Sequence, residues 1–236
     1  MAVNAWRLLP RTTRSLAERE CLNPVRVGAA VLPQRSPCTL LVVITSVACL
    51  LLSSCEWTQY RFGPAHTGHN PAESAITAGN VSQLQAAWAG PQLGIPFDAL
   101  VVGDSILVGY WDDIRPAALS ALDPHHGSVR WSIIFPSNVG TTTPSYGGGR
   151  LYVPTRVVGS LDNATLKAYR ASDGGLLWSS PSGFPNSAPT VVGDIVYQSF
   201  VSLGPASGWE AHDAATGNVL FRARASGFGY PTVAVA

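Results

Sequence analysis

ALDPHHGSVRW (121–131), AYRASDGGLLW (168–178) and AHDAATGNVLF (211–221) are three versions of one eleven-residue unit. Each opens on a small Ala, places Gly127, Gly174 or Gly217 four residues before its end, and closes on a ring: Trp131, Trp178 or Phe221. The order reads as strand, tight turn, strand. Glycine supplies the positive φ of the turn, and Asp123 and Asp213 open two of the turns with a side chain that bonds its own backbone. The second copy departs, with Arg170 at that position and Asp173 inside the turn. An earlier ring, Trp88, precedes the first copy, and the four rings stand 43, 47 and 43 residues apart. A period in the forties with hairpin turns and one ring per period predicts an all-β fold, a β-propeller of four-stranded blades.

The rest of each period agrees. Nine to twelve residues after each ring comes a second shared segment: 97–108, then Thr143-Pro144 running to Val153, then Ala188-Pro189 running to Tyr197. Each reads as a buried strand, a glycine-containing turn and a second buried strand. Polar, variable stretches at 111–116, 158–164 and 202–207 absorb the differences in repeat length, as connecting loops do. Pro231-Thr232-Val233 begins a fourth unit, and the sequence stops at Ala236 without a further hairpin or ring. The expectation is an incomplete propeller: about three blades and the start of a fourth, a truncated chain whose open C-terminal edge is available for pairing.

Composition supports this class. Hydrophobic residues make up 46% of the 236 and charged residues only 12%, with 23 Gly and 18 Pro, which suits a turn-rich β body. Residues 1–55 carry six Arg against two Glu, while residues 56–236 carry nine basic against twelve acidic side chains. An acidic body offers no electrostatic footprint for nucleic acid, so none is expected as a partner.

All four cysteines, Cys21, Cys38, Cys49 and Cys55, precede residue 56, which leaves the body without a disulfide or thiolate metal site. The uncharged run TLLVVITSVACLLL (39–52) follows Arg26 and Arg35 and leads into Ser53-Ser54-Cys55. A basic flank, a short apolar core and small residues before a cut fit a secretory signal, and fourteen residues fall short of the ~20 a membrane-spanning helix needs. Leu52-Ser53-Ser54-Cys55 resembles the bacterial lipobox, which implies cleavage before Cys55 and a lipid on its thiol. The expected location is therefore outside the cytoplasm, anchored to the bacterial membrane at Cys55; an ordinary secreted protein or one anchored by 39–52 are the alternatives. Residues 1–38 form an unusually long extension with four prolines and no sustained hydrophobic period, expected to lack stable structure. A true start nearer Val25 to Val31 would account for its length. The chain thus divides into an extension (1–38), a signal and lipobox segment (39–55), an arm (56–87) and propeller repeats (88–236).

The arm, from Trp57 through Tyr60, His66 and Pro71 to Asn80-Val81, Leu84 and Trp88, resembles the opening of propellers with pyrroloquinoline-quinone-like (PQQ-like) repeats. The three Ala…Gly…ring units resemble the tryptophan-docking motif of that superfamily. The resemblance covers most of 57–236. It implies that Trp88, Trp131, Trp178 and Phe221, together with the turn glycines Gly127, Gly174 and Gly217, are structural docking residues. A large ring between twisting blades fills the gap, and an indole N–H bonds a backbone acceptor; Phe221 fills without donating.

The superfamily contains quinoprotein dehydrogenases and non-catalytic propellers such as the barrel-assembly lipoprotein of outer membranes. Dehydrogenases of this kind have a neighbouring-Cys disulfide above the quinone and a calcium site with an Asp base. Here no cysteine follows Cys55, Asp123 and Asp213 belong to turns, and Asp112-Asp113 sits in a loop. His66-x-x-His69 and His125-His126 have metal-like spacing, but they lie in the arm and at a hairpin tip, so no metal and no catalytic residue is assigned. Ser, His and Asp occur without a nucleophile-elbow sequence. The function expected is a non-catalytic binding or envelope-assembly platform with an extracytoplasmic protein or envelope component as partner and no cofactor. The alternative is a fragment of a PQQ-dependent alcohol or sugar dehydrogenase, with PQQ and calcium.

Overall fold

In the computed structural model, residues 4–8, 56–91, 94–111, 115–160, 163–185, 187–201, 207–225 and 233–235 are described. The signal and lipobox segment, Cys55 included, lies outside them, as do Asp112 and Asp113. Regular structure among these residues is strand, apart from a 3-10 turn at Val81–Gln83.

Three sheets repeat one design. The first combines β3 (Ile95–Pro96), β4 (Leu100–Val102), β5 (Ser105–Trp111), β6 (Ala118–Leu122) and β7 (Val129–Ile134). The second contains β8 (Val139–Thr141), β9 (Ser145–Gly147), β10 (Arg150–Val157), β11 (Ala164–Arg170) and β12 (Leu176–Ser182). The third contains β13 (Phe184–Pro185), β14 (Thr190–Val192), β15 (Ile195–Val201), β16 (Ser207–Asp213) and β17 (Val219–Ala225). In each, two short strands pair with the same long neighbour, so together they form one broken inner strand. Every sheet is therefore a four-stranded antiparallel blade, and the three follow one another along the chain as part of a β-propeller. Pro144 and Pro189 lie in two of the breaks, where a residue without an N–H ends a ladder. Before these blades, β2 (Leu84–Ala89) carries Trp88 in the place of a fourth strand, and β1 (Asn4–Leu8), within the N-terminal extension, pairs antiparallel with it.

The repeat's small and large residues face each other across the outer hairpins. Ala121 pairs with Trp131, Ala168 with Trp178 and Ala211 with Phe221, and the register slips just after each of these alanines. The same bulge in three blades twists each outer strand at its ring. All three alanines are wholly buried. The core lies between blades: Leu107, Leu119, Leu151 and Tyr169 join the first to the second, and Tyr152, Leu166, Val191 and Val196 join the second to the third.

Candidate functional site

The turn glycines and rings meet across blade boundaries. A Cβ on Gly174 would stand 2.9 Å from the Trp131 ring, and one on Gly217 2.5 Å from Trp178; Gly127 lies against Trp88 still more closely. Trp88 Nε1 donates to the carbonyl of Pro124 at 2.8 Å, and Trp178 Nε1 to that of Ala214 at 3.1 Å. Phe221 sits differently. Its ring is 43% exposed and packs edge-on against Trp209 of its own blade, with centroids 5.0 Å apart.

The turn with Arg170 closes as the other two do. Gly127, Gly174 and Gly217 each donate at 2.8 Å to the carbonyl four residues back, those of Asp123, Arg170 and Asp213. In the second turn Asp173 takes over the capping from inside, accepting from the Gly175 N–H at 2.8 Å and from Arg170 Nη1 at 2.6 Å. Arg130 and the backbone N–H groups of His125 and His126 hold the Asp123 carboxyl well below the usual carboxylate range.

Three consecutive arm residues tie three consecutive blades together. Trp57 exchanges backbone hydrogen bonds with Val101 of β4 (2.8 and 2.9 Å), and the Thr58 carbonyl accepts from Tyr146 N of β9 at 2.8 Å. The Gln59 carboxamide donates to the Val191 carbonyl of β14 at 2.8 Å and accepts its N–H at 2.9 Å. Val101, Tyr146 and Val191 are the middle residues of their short inner strands, 45 residues apart. A tripeptide thus satisfies the inner edges of all three blades. The turn that follows puts Arg61 (φ +54°) and Phe62 (φ +89°) in the left-handed region, a strained conformation for side chains of that size. Phe62 is held there by an edge-on contact with Trp57.

Beside the arm, a cleft of about 420 Å³ opens where the inner strands break. Its walls include Tyr60 of the arm, Phe97 and Trp111 of the first blade, Thr141, Thr142, Thr143 and Arg156 of the second, and Ser187 of the third. The Arg156 guanidinium lies 4.8 Å over the Phe184 ring. The lining is aromatic on one side and donor-rich on the other, fit for an oxygen-bearing ligand; its one charged group among the described residues is Arg156. His125 and His126 stand at a turn tip, whereas His66 faces Thr190 Oγ1 at 3.3 Å. No three His, Cys, Asp or Glu side chains converge among the described residues.

The third blade also holds a buried polar cluster that its sequence did not announce. Glu210, fully buried, accepts from Arg222 Nε at 2.8 Å and from the Ser182 hydroxyl, and the His212 ring stands 3.1 Å away. Burial pushes its carboxyl up, but the contacts with His212 and Ser182 and the Arg222 charge outweigh it and hold the group below the ordinary glutamate range. The only sequence trace is a polar alternation, Glu210 and His212, in a strand that otherwise reads as core.

The family model described as outer membrane protein assembly factor BamB matches residues 115–235, just over half of the sequence. The chain belongs to the BamB family. Among solved structures, this BamB-family chain is similar to a europium-containing methanol dehydrogenase at 24% identity and a TM-score of 0.57, covering 73% of this chain and 32% of that one. The quinohemoprotein alcohol dehydrogenase of Comamonas testosteroni gives 21% identity and a TM-score of 0.57, with 72% and 27% covered. BamB of Moraxella catarrhalis gives 18% identity and a TM-score of 0.43, with 59% and 40% covered. At these identities the two dehydrogenases share the propeller fold with this chain, which spans about a third of their length or less. No curated protein matches it in sequence.

Proposed function

We propose that this chain is an exported, lipid-anchored PQQ-like propeller that serves as a non-catalytic binding or envelope-assembly platform. The observation that carries the reading is the division of labour between its residues. The rings and turn glycines are spent on joining blades, while the cleft opens where the inner strands break, beside the ends of β5, β10 and β13, where it can meet an extracytoplasmic protein or envelope component. The family description points the same way. Export and anchoring rest on the 39–52 run and on Leu52-Ser53-Ser54-Cys55. A propeller alone does not specify a task, so the platform role rests on this placement rather than on the fold.

Fractionation of bacteria expressing the full chain and Cys55→Ala tests the anchor. The expected result is a lipid adduct on Cys55, with cleavage before it, by mass spectrometry of the membrane fraction of the first, and no such adduct in the second. An unmodified Cys55 in the first would refute it. A fragment of a quinone-dependent dehydrogenase remains the competing reading, motivated by the Trp111, Arg156 and threonine lining of the cleft.

A further inference from the structure

We propose that the edge of β2 is a strand-docking site and that residues 4–8 of the N-terminal extension occupy it, filling the place of a blade's third strand within the same chain.

The register of the pairing identifies that place. In each blade the third strand sets an alanine opposite the ring of the fourth and then skips one residue: Ala121↔Trp131 is followed by Leu122↔Val129, Ala168↔Trp178 by Tyr169↔Leu176, and Ala211↔Phe221 by His212↔Val219. β1 and β2 repeat this step for step. Ala5 stands opposite Trp88, Trp6 opposite Ala86, and Ala87 is passed over. The bulged residue Ala87 therefore matches Arg130, Leu177 and Leu220, each one before its ring. A strand pair can slip in register and can bulge at any position, so agreement in both marks the same structural slot.

A second observation comes from β2 itself. Trp88 bonds the Pro124 carbonyl and lies on Gly127, as Trp178 bonds that of Ala214 and lies on Gly217, so β2 docks on the first blade as a fourth strand does. A fourth strand needs a third. Among the described residues β2 has no strand partner except β1, and without it both its edges would be open. An extended segment that adds to such an edge gains backbone hydrogen bonds, and the side chains at alternate positions select which segment fits. The selective position here is the one opposite the ring, held in all three blades by a wholly buried alanine. The sequence carries the same mark, because Ala5-Trp6-Arg7 parallels Ala168-Tyr169-Arg170. The parallel ends where a hairpin would begin. Each blade turns at Asp123, Arg170 or Asp213, whereas β1, which no tight turn joins to β2, runs on through Arg7↔Gln85 and Leu8↔Leu84. Residues 4–8 precede Cys55, so the unprocessed chain is the form that contains this strand.

The test uses that unprocessed full chain with Cys21, Cys38, Cys49 and Cys55 replaced by serine, so that only introduced thiols can pair. Arg7→Cys/Gln85→Cys sets two thiols directly opposite, while Arg7→Cys/Ala89→Cys sets them about 13 Å apart along β2, beyond the reach of a disulfide. Mild oxidation should close an internal disulfide in the first and severalfold less of it in the second. In the same serine background, Trp6→Pro/Arg7→Pro removes one N–H from each edge of β1. It should speed amide exchange across 84–89 severalfold and leave exchange in β11 unchanged. Equal cross-linking of the two cysteine pairs, or unchanged exchange across 84–89 in the proline variant, overturns the docking. A disulfide between two chains in place of the internal one overturns occupation within the chain in favour of a strand from a second copy.

Discussion

At the residue scale, turn glycines that look alike in sequence carry different loads. Gly103 has a φ of +55° and open space where a Cβ would stand, whereas Gly217 has a φ of +77° and the Trp178 ring 2.5 Å away. Gly103→Ala should therefore cost only the backbone penalty, about 1 kcal/mol. Gly217→Ala adds overpacking and should cost about 2–4 kcal/mol by denaturant unfolding. Equal losses would remove the ring-on-glycine contact from the account. Gln59 offers a second test. Gln59→Leu keeps the volume and leaves the N–H and C=O of Val191 without their partners, which should cost about 2–3 kcal/mol and speed amide exchange at Val191. Glu210 makes stability depend on pH. Its folded-state value is depressed, so it contributes stability above its unfolded value, near ~4.3, and that contribution is lost as pH falls through the lower folded value. Glu210→Gln should flatten this acid limb of the stability curve; an unchanged limb would assign it to other carboxylates.

At the scale of the element, the outer hairpin and its ring act as the joint between blades. Trp178 contributes both packing and an indole hydrogen bond to Ala214. Trp178→Phe should lose the bond alone, about 1 kcal/mol, and Trp178→Ala the ring as well, about 3–5 kcal/mol, in thermal or denaturant unfolding. Phe221 is the same joint without a neighbour on its exposed side among the described residues, so Phe221→Ala should cost clearly less than Trp178→Ala. This hairpin was also the most legible element in the sequence. Its Ala, Gly and ring recur at fixed spacing because the bulge and turn tolerate little else. Arg170 looked like a defect in that pattern, yet Asp173 supplies the missing acceptor three residues later, and a shift of the capping group within a turn leaves the backbone unchanged.

At the scale of the whole molecule, blade number and order followed from the period, but the arm and the cleft did not. Residues 57–59 could be placed in an arm from sequence; their contacts span up to 132 residues, and only the 45-residue spacing of Val101, Tyr146 and Val191 hints at a shared partner. The cleft is assembled from residues at the breaks in inner strands of different blades, so no local motif marks it. Val233–Val235, part of the segment expected to be an unpaired edge, is tied down: Val235 N donates to the Pro64 carbonyl at 2.9 Å, and Thr190 Oγ1 to that of Val233. What the cleft binds decides between platform and enzyme. The most direct measurement is a calorimetric titration of the purified full-length protein with the quinone in the presence of calcium, paired with dye-coupled alcohol oxidation. The platform account predicts neither saturable quinone binding nor dye reduction, whereas stoichiometric tight binding with alcohol-dependent dye reduction would contradict it.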